Sequence, residues 1–229
     1  MLEALRTEVL EANLELVRRG LVLYTFGNAS GVSREHGLIV IKPSGVPYEK
    51  MTPADMVITD MNGKVVEGSL RPSSDMDTHS ALYRKFPTVG GVVHTHSRHA
   101  TAWAQARREI PCFGTTHADY FHGPIPVTEP LSADEINCDY EANTGVAILR
   151  LLEGRDPLGC PAALVAGHAP FCWGGSVTDA ARTAVIVEEL AAMAWQTLTI
   201  NSAAEQISEA LRDKHHFRKH GPTATYGQK

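Results

Sequence analysis

Apolar positions follow two different periods along this chain. In MLEALRTEVLEANLELVRRG, Leu2, Leu5, Val9, Leu14 and Val17 recur at helical spacing among charged residues, which predicts an amphipathic helix with one buried stripe. It should end at Arg18-Arg19-Gly20, where cations meet the negative end of the dipole and glycine follows the last turn. The period then shortens. GLIVIK (37–42) and the run from Met56 to Asp60 read as strands, and Asn62-Gly63 between VITDM and KVVEG signals a two-residue hairpin, so part of the sheet is antiparallel. Further on, helical patterns at 76–86 and 98–107 alternate with strands at 91–95, near Pro126 and at 145–149. Ser132-Ala-Asp-Glu135 has capping-box spacing and starts another helix, Ala162 to Val165 reads as a short buried strand, and the last third is mostly helical. The order predicts a sheet covered by helices on both faces.

Composition narrows the function classes. With 229 residues, 43% of them hydrophobic and 21% charged, one domain suffices to bury the core. A net charge of -5 leaves no basic surplus for a nucleic-acid backbone. The N-terminus lacks the basic n-region of a signal peptide, and the most apolar helical stretch, 183–200, is interrupted by Glu188 and Glu189, so no membrane span is expected. Cys112, Cys138, Cys160 and Cys172 are widely spaced without a CxxC, which suits free thiols in the cytoplasm.

Candidate chemistry concentrates in VVHTHSRHA (92–100), which holds three of the chain's 11 histidines. On a strand, side chains alternate faces, so His94 and His96 share one side. A solvated pair on an edge strand accounts for that pattern as well as a metal site does. Asp75, at a loop-to-helix junction, and His168, in a glycine-flanked turn, are each ordinary alone, the first as a helix N-cap. Together the four make a three-histidine, one-carboxylate set suited to zinc, manganese or cobalt. Three segments carry phosphate-binding signals: Lys42-Pro-Ser44-Gly45 after a strand, the small-residue loop from Gly27 through Asn28 to Gly31, and Ser73-Ser74 ahead of a helix whose free amides favour an anion. Any one of these is more often an ordinary turn. Asp119 and Tyr226 are candidate proton carriers, with a loop cap and a surface anchor as their plainer readings.

The runs GNASG (27–31), KPSG (42–45), RPSSD (71–75), HTHSRHATAWAQ (94–105), GTTHADYFHG (114–123), GHAPFCWG (167–174) and DKHHFRKHGPTATYGQ (213–228) resemble, in order and from end to end, the L-ribulose-5-phosphate 4-epimerases of the class II aldolase and adducin-domain superfamily. The resemblance implies an α/β fold, a single three-layer α/β/α domain with a mostly antiparallel central sheet. It implies Asp75, His94, His96 and His168 as metal ligands, zinc usually and manganese or cobalt as substitutes. It further implies a sugar-phosphate substrate held by Asn28, Lys42, Ser44, Gly45, Ser73 and Ser74, with Asp119 and Tyr226 as acid/base groups and His215 assisting. In that family the tail, about 213–229 here, completes a neighbouring subunit's site in a cyclic homotetramer. Two departures stand out: Ala166 replaces a histidine that some relatives carry two residues before the third metal histidine, and His216 and Thr225 differ from close relatives. Two other readings share the motifs. Fuculose-phosphate-type class II aldolases have a glutamate base where Asp75 stands, and a non-catalytic, adducin-like metal-binding scaffold lacks the full ligand set.

Overall fold

The computed structural model describes residues 2–220, 224 and 225. Among them, seven strands, β1 (Asn28–Ser33), β2 (Leu38–Ile41), β3 (Val57–Asp60), β4 (Val65–Glu67), β5 (Gly91–His94), β6 (Ala162–Leu164) and β7 (Pro170–Gly174), form one sheet in the order β4-β3-β2-β1-β5-β7-β6. Every neighbouring pair runs antiparallel. The helices are α1 (Glu3–Arg18), α2 (Met76–Lys85), α3 (Arg98–Gln105), α4 (Thr115–Ala118), α5 (Ala133–Cys138), α6 (Tyr140–Leu151), α7 (Val177–Ile200) and α8 (Glu209–Lys219).

Both faces of the sheet are buried, because successive side chains alternate between two apolar clusters. Val40, Val93, Leu164 and Cys172 pack with α1, α3 and α7, while Ile39, Ile41, Val92, Phe171 and Trp173 pack with α2 and α6. The result is the three-layer α/β/α arrangement expected of this sequence.

Several elements differ from the sequence reading. GNASG is not a loop: residues 28–31 belong to β1, paired between β2 and β5 at the middle of the sheet. Small residues suit it because α1 and α7 lie directly on the strand, and a Cβ on Gly31 would come within 2.5 Å of Val177 Cγ2 and 2.8 Å of Leu5 Cδ1. The β3–β4 connection is a three-residue loop, not a two-residue one: Asp60 N donates to Lys64 O at 2.9 Å and Gly63 N to Asp60 O at 3.1 Å, with Gly63 at φ +81°. This is a turn closed by a left-handed glycine, the next commonest hairpin connection.

The run 145–149 is helical, inside α6. Its buried positions Thr144, Gly145, Ala147 and Ile148 follow the helical period, and Gly145 packs against α2 so closely that a Cβ there would lie 2.8 Å from Ala81 Cβ. Near Pro126 only isolated bridges form, Ile110 with Ile125 and Val127 with Leu164. On α1 the buried stripe is Arg6, Val9, Leu10, Ala12, Asn13 and Leu16, and Val17 is 43% exposed. Pro170–Gly174 is a strand that the sequence reading did not place, its leading proline and the glycines around it reading as a turn. No described helix is long and apolar enough to cross a membrane.

Candidate metal centre and the surrounding cleft

β5 ends at His94, whose side chain shares the α2 face with Val92 and stacks on Phe171 of β7 at 4.2 Å. The neighbouring chain segment supplies its partner: His94 Nδ1 lies 3.0 Å from Pro170 O. Burial pushes the imidazole's pKa down to about 3, so the ring is neutral. A carbonyl only accepts, so Nδ1 carries the proton and Nε2 presents a lone pair. His96 follows just beyond the strand, and His168 comes from the turn after β6, where His168 N donates to Val165 O at 2.9 Å and Gly167 takes φ +74°.

These three rings converge. His94 Nε2 is 3.1 Å from His96 Nε2 and 3.2 Å from His168 Nε2, and the ligand nitrogens of all three lie within 4.8 Å of one another. Metal–nitrogen bonds of about 2.0–2.1 Å at tetrahedral angles separate neighbouring donors by about 3.3 Å, so the donor set fits a divalent metal ion.

Asp75 lines the same cleft but stands outside the three-histidine group. Its reading as a helix cap fails, since its side chain makes no capping bond to α2. Instead Asn28 Nδ2 donates to Asp75 Oδ2 at 2.6 Å, across from β1. Asn28 also lines the cleft, and its Oδ1 is buried without a hydrogen-bond partner among the described residues.

The phosphate-type signals meet here as well. Ser44 N donates to Arg71 O at 2.9 Å and Ser73 N to Lys42 O at 3.0 Å, which lays KPSG beside RPSSD. Asn28, Lys42, Ser44, Gly45, Ser73 and Ser74 thus line one cleft of about 340 Å³ with Asp75, His94, His96 and His168. Lys42 is only 2% exposed; its ammonium lies 3.3 Å from Thr25 O and from Pro43 O and 4.7 Å above the Tyr48 ring. Burial pulls its pKa down to about 8, which leaves a cation that an anionic ligand would favour.

Tyr140 and Glu141 also line the cleft. Sequence reasoning missed them because it read 145–149 as a strand, which left Tyr140 and Glu141 outside the helix that places them, although Asp139 stands at its N-cap position.

Asp119 is elsewhere. It follows α4 and does not line the cleft; α8 surrounds its carboxylate, with His215 Nδ1 at 3.1 Å, Arg218 Nη2 at 3.0 and 2.9 Å and Lys219 Nζ at 3.2 Å. Burial opposes its charge, but the bonds from Arg218, His215 and Lys219 prevail and hold its pKa below the usual carboxylate range. The fold therefore joins Asp119 with His215 while separating both from the three histidines. Tyr226 lies outside the described residues; Thr225 N, just before it, donates to Arg218 O at 2.9 Å. Of the departures, His216 is buried with Nδ1 3.2 Å from Ala118 O, and Ala166 N donates to Thr128 Oγ1 at 3.0 Å.

The antiparallel sheet sandwiched by helices, with a histidine cluster at the end of β5, defines a class, and the chain matches the class II aldolase and adducin N-terminal domain over residues 7–195. It belongs to that family. It is 55% identical over 228 residues to the L-ribulose-5-phosphate 4-epimerase UlaF of Salmonella paratyphi C (strain RKS4594), with 100% of both chains covered. Its fold is also that of an L-fuculose 1-phosphate aldolase, at 24% identity and TM-score 0.79 over 94% of this chain and 95% of the other. A crystal structure of L-fuculose-1-phosphate aldolase from Thermus thermophilus aligns at 22% identity and TM-score 0.67, covering 89% of this chain and 98% of that one.

Proposed function

We propose that this protein is a metal-dependent L-ribulose-5-phosphate 4-epimerase that interconverts L-ribulose 5-phosphate and D-xylulose 5-phosphate. One observation carries the reading: in a chain alike over its full length to a named epimerase, three imidazoles converge in the cleft that also holds Lys42, Ser44 and Ser73.

The chemistry explains why such a cleft is needed. The hydrogen on C4 of a ketopentose 5-phosphate is not acidified by the C2 carbonyl, so inversion at C4 requires the C3–C4 bond to break and re-form. His94, His96 and His168, with Asp75 as the fourth group, hold a divalent ion, zinc in our reading with manganese or cobalt as substitutes. When bound, that ion supplies Lewis-acid stabilisation of the negative charge that develops on the substrate's oxygens.

The chain's own residues supply the rest. Lys42, the KPSG and RPSSD segments and Asn28 anchor the phosphate, so that the glycolaldehyde phosphate fragment stays bound while its aldehyde turns over. Recombination on the other face then requires one proton carrier per face. Asp119 and Tyr226 take those roles, with His215 holding Asp119. Because Asp119 sits against α8 and away from the cleft, a cleft is completed by the Asp119 and tail of a neighbouring subunit in a cyclic tetramer. The free thiols suit a cytoplasmic enzyme.

A fuculose-phosphate-type aldolase would share the metal and the phosphate cradle but release its fragments. Asp75, short and tied to Asn28, suits a ligand or orienting role better than that of a mobile base. A metal-binding scaffold would have no use for a carboxylate gathered among three basic side chains of α8.

The test is a coupled assay for D-xylulose 5-phosphate with and without chelator, followed by subunit mixing. His96→Asn and Asp119→Asn should each lose on the order of 10²-fold or more. An equal mixture after verified subunit exchange should regain activity in about a quarter of its sites, those pairing an intact cleft with an intact Asp119. No epimerase activity in the wild type refutes the function, and failure to regain activity in the hybrids refutes the shared site.

A further inference from the structure

His94 and His168 present the same ring nitrogen to the metal position but secure the other one differently. At His94 the partner is the Pro170 carbonyl, 3.0 Å from Nδ1, which accepts and never donates, so that ring has one tautomer. At His168 the partner is the Tyr140 hydroxyl, 3.2 Å from Nδ1, with the phenol edge-on to the imidazole at 6.0 Å between centroids and 71° between planes. A hydroxyl both accepts and donates.

The two states of the site make opposite demands on that hydroxyl. Without an ion, His94 Nε2 offers one lone pair with two ring nitrogens in reach of it, His96 Nε2 at 3.1 Å and His168 Nε2 at 3.2 Å, and the second contact is a hydrogen bond only if His168 Nε2 carries the proton. His168 Nδ1 is then bare and Tyr140 must donate to it. With an ion between the rings, His168 Nε2 must be bare, its proton sits on Nδ1, and Tyr140 must accept. A carbonyl at this place would favour one state and a carboxylate would favour the same one more strongly. From this contact we infer that Tyr140 is a positioning residue for the third metal histidine, its hydroxyl reversing its hydrogen bond as the site fills so that His168 changes tautomer without moving its ring.

The inference deepens the metal reading of the histidine cluster and rests on it. Tyr140→Phe keeps the edge contact and removes the hydroxyl. In full-length protein, competition with a chromophoric chelator should show Zn²⁺ bound about 10- to 100-fold more weakly than by the wild type, the usual cost of losing a ligand's outer partner. The melting temperature in chelator should fall by only a few degrees, the cost of the one hydrogen bond that the hydroxyl makes in the unfilled site, and by more in Zn²⁺, whereas a packing role would lower both equally. Equal Zn²⁺ affinity in the two proteins overturns the inference; absence of Zn²⁺ binding by the wild type overturns the metal reading instead. Should Tyr140→Phe not fold, the wild type still decides the matter: ¹⁵N spectra of His168 should place the proton on Nε2 without Zn²⁺ and on Nδ1 with it. A proton on Nδ1 in both states overturns the inference.

Discussion

Glu188 on α7 holds His99 twice: its Oε1 accepts from His99 N and lies against His99 Nδ1, both at 2.8 Å, while Oε2 accepts from Ala100 N at 2.9 Å. Ser97, the residue at the N-cap of α3, makes no side-chain capping bond. A carboxylate from another helix therefore satisfies the free amides at the start of α3, one turn beyond His96.

Removing that carboxylate strands buried amides. Glu188→Ala should lower stability by about 1–3 kcal/mol in urea unfolding at neutral pH. Burial opposes ionisation of Glu188, but the amide bonds from Ala100 and His99 prevail and keep its pKa below the ordinary glutamate value. A depressed folded pKa gives stability that is present above the unfolded pKa and lost as pH falls through the folded one. The gap between wild type and variant should therefore narrow in the acid range below the ordinary glutamate pKa, and a gap independent of pH would sink the argument.

Metal binding should be visible in stability as well as in activity. A ligand that binds only the folded form stabilises it by about 4 kcal/mol at 1,000 times its Kd. Chelator should lower the melting temperature of the wild type and leave His96→Asn almost unchanged, as read by calorimetry with and without added Zn²⁺.

Lys42 links the proposed phosphate site to pH. Its folded pKa, pulled to about 8 against an ordinary 10.5, means that between those values the unfolded chain holds a proton the folded one has released. Stability of the phosphate-free protein should therefore rise with pH across that window. Inorganic phosphate, which needs the charged ammonium, should raise the melting temperature less as pH climbs past about 8, and Lys42→Met should show neither effect. In kinetics, Lys42→Met should raise KM by about 10-fold or more, with the larger part of the loss in kcat/KM.

Gly145 fixes how closely α6 approaches α2. Gly145→Val places carbon where Ala81 Cβ would be 2.8 Å away, and should cost about 1–3 kcal/mol by thermal unfolding. Gly145→Ala combined with Ala81→Gly should recover part of the cost of Gly145→Ala alone, since the two sites are in contact. Strict additivity would mean that the helices do not meet there.

The sequence by itself determined several of the local elements and many of the residues that line the cleft. Helical spacing placed α1 and α2, the apolar run before HTH placed β5, and the Ser132–Glu135 box placed the start of α5, because each depends on neighbours within a turn or two. The side chains that can bind a metal or a phosphate are likewise set by chemical type, and the motifs that carry the family resemblance are contiguous strings. What only the tertiary structure decided depends on contacts between distant segments. GNASG reads as a loop until α1 and α7 are seen lying on it, and 145–149 reads as a strand until Gly145 is pressed against Ala81. Asp75 reads as a helix cap until Asn28, 47 residues earlier, claims its carboxylate. Asp119 reads as part of one site with His94, yet α8 draws it to a different place in the chain. In each case local propensity favoured one state weakly, and burial against a remote partner, worth more than the propensity difference, selected another.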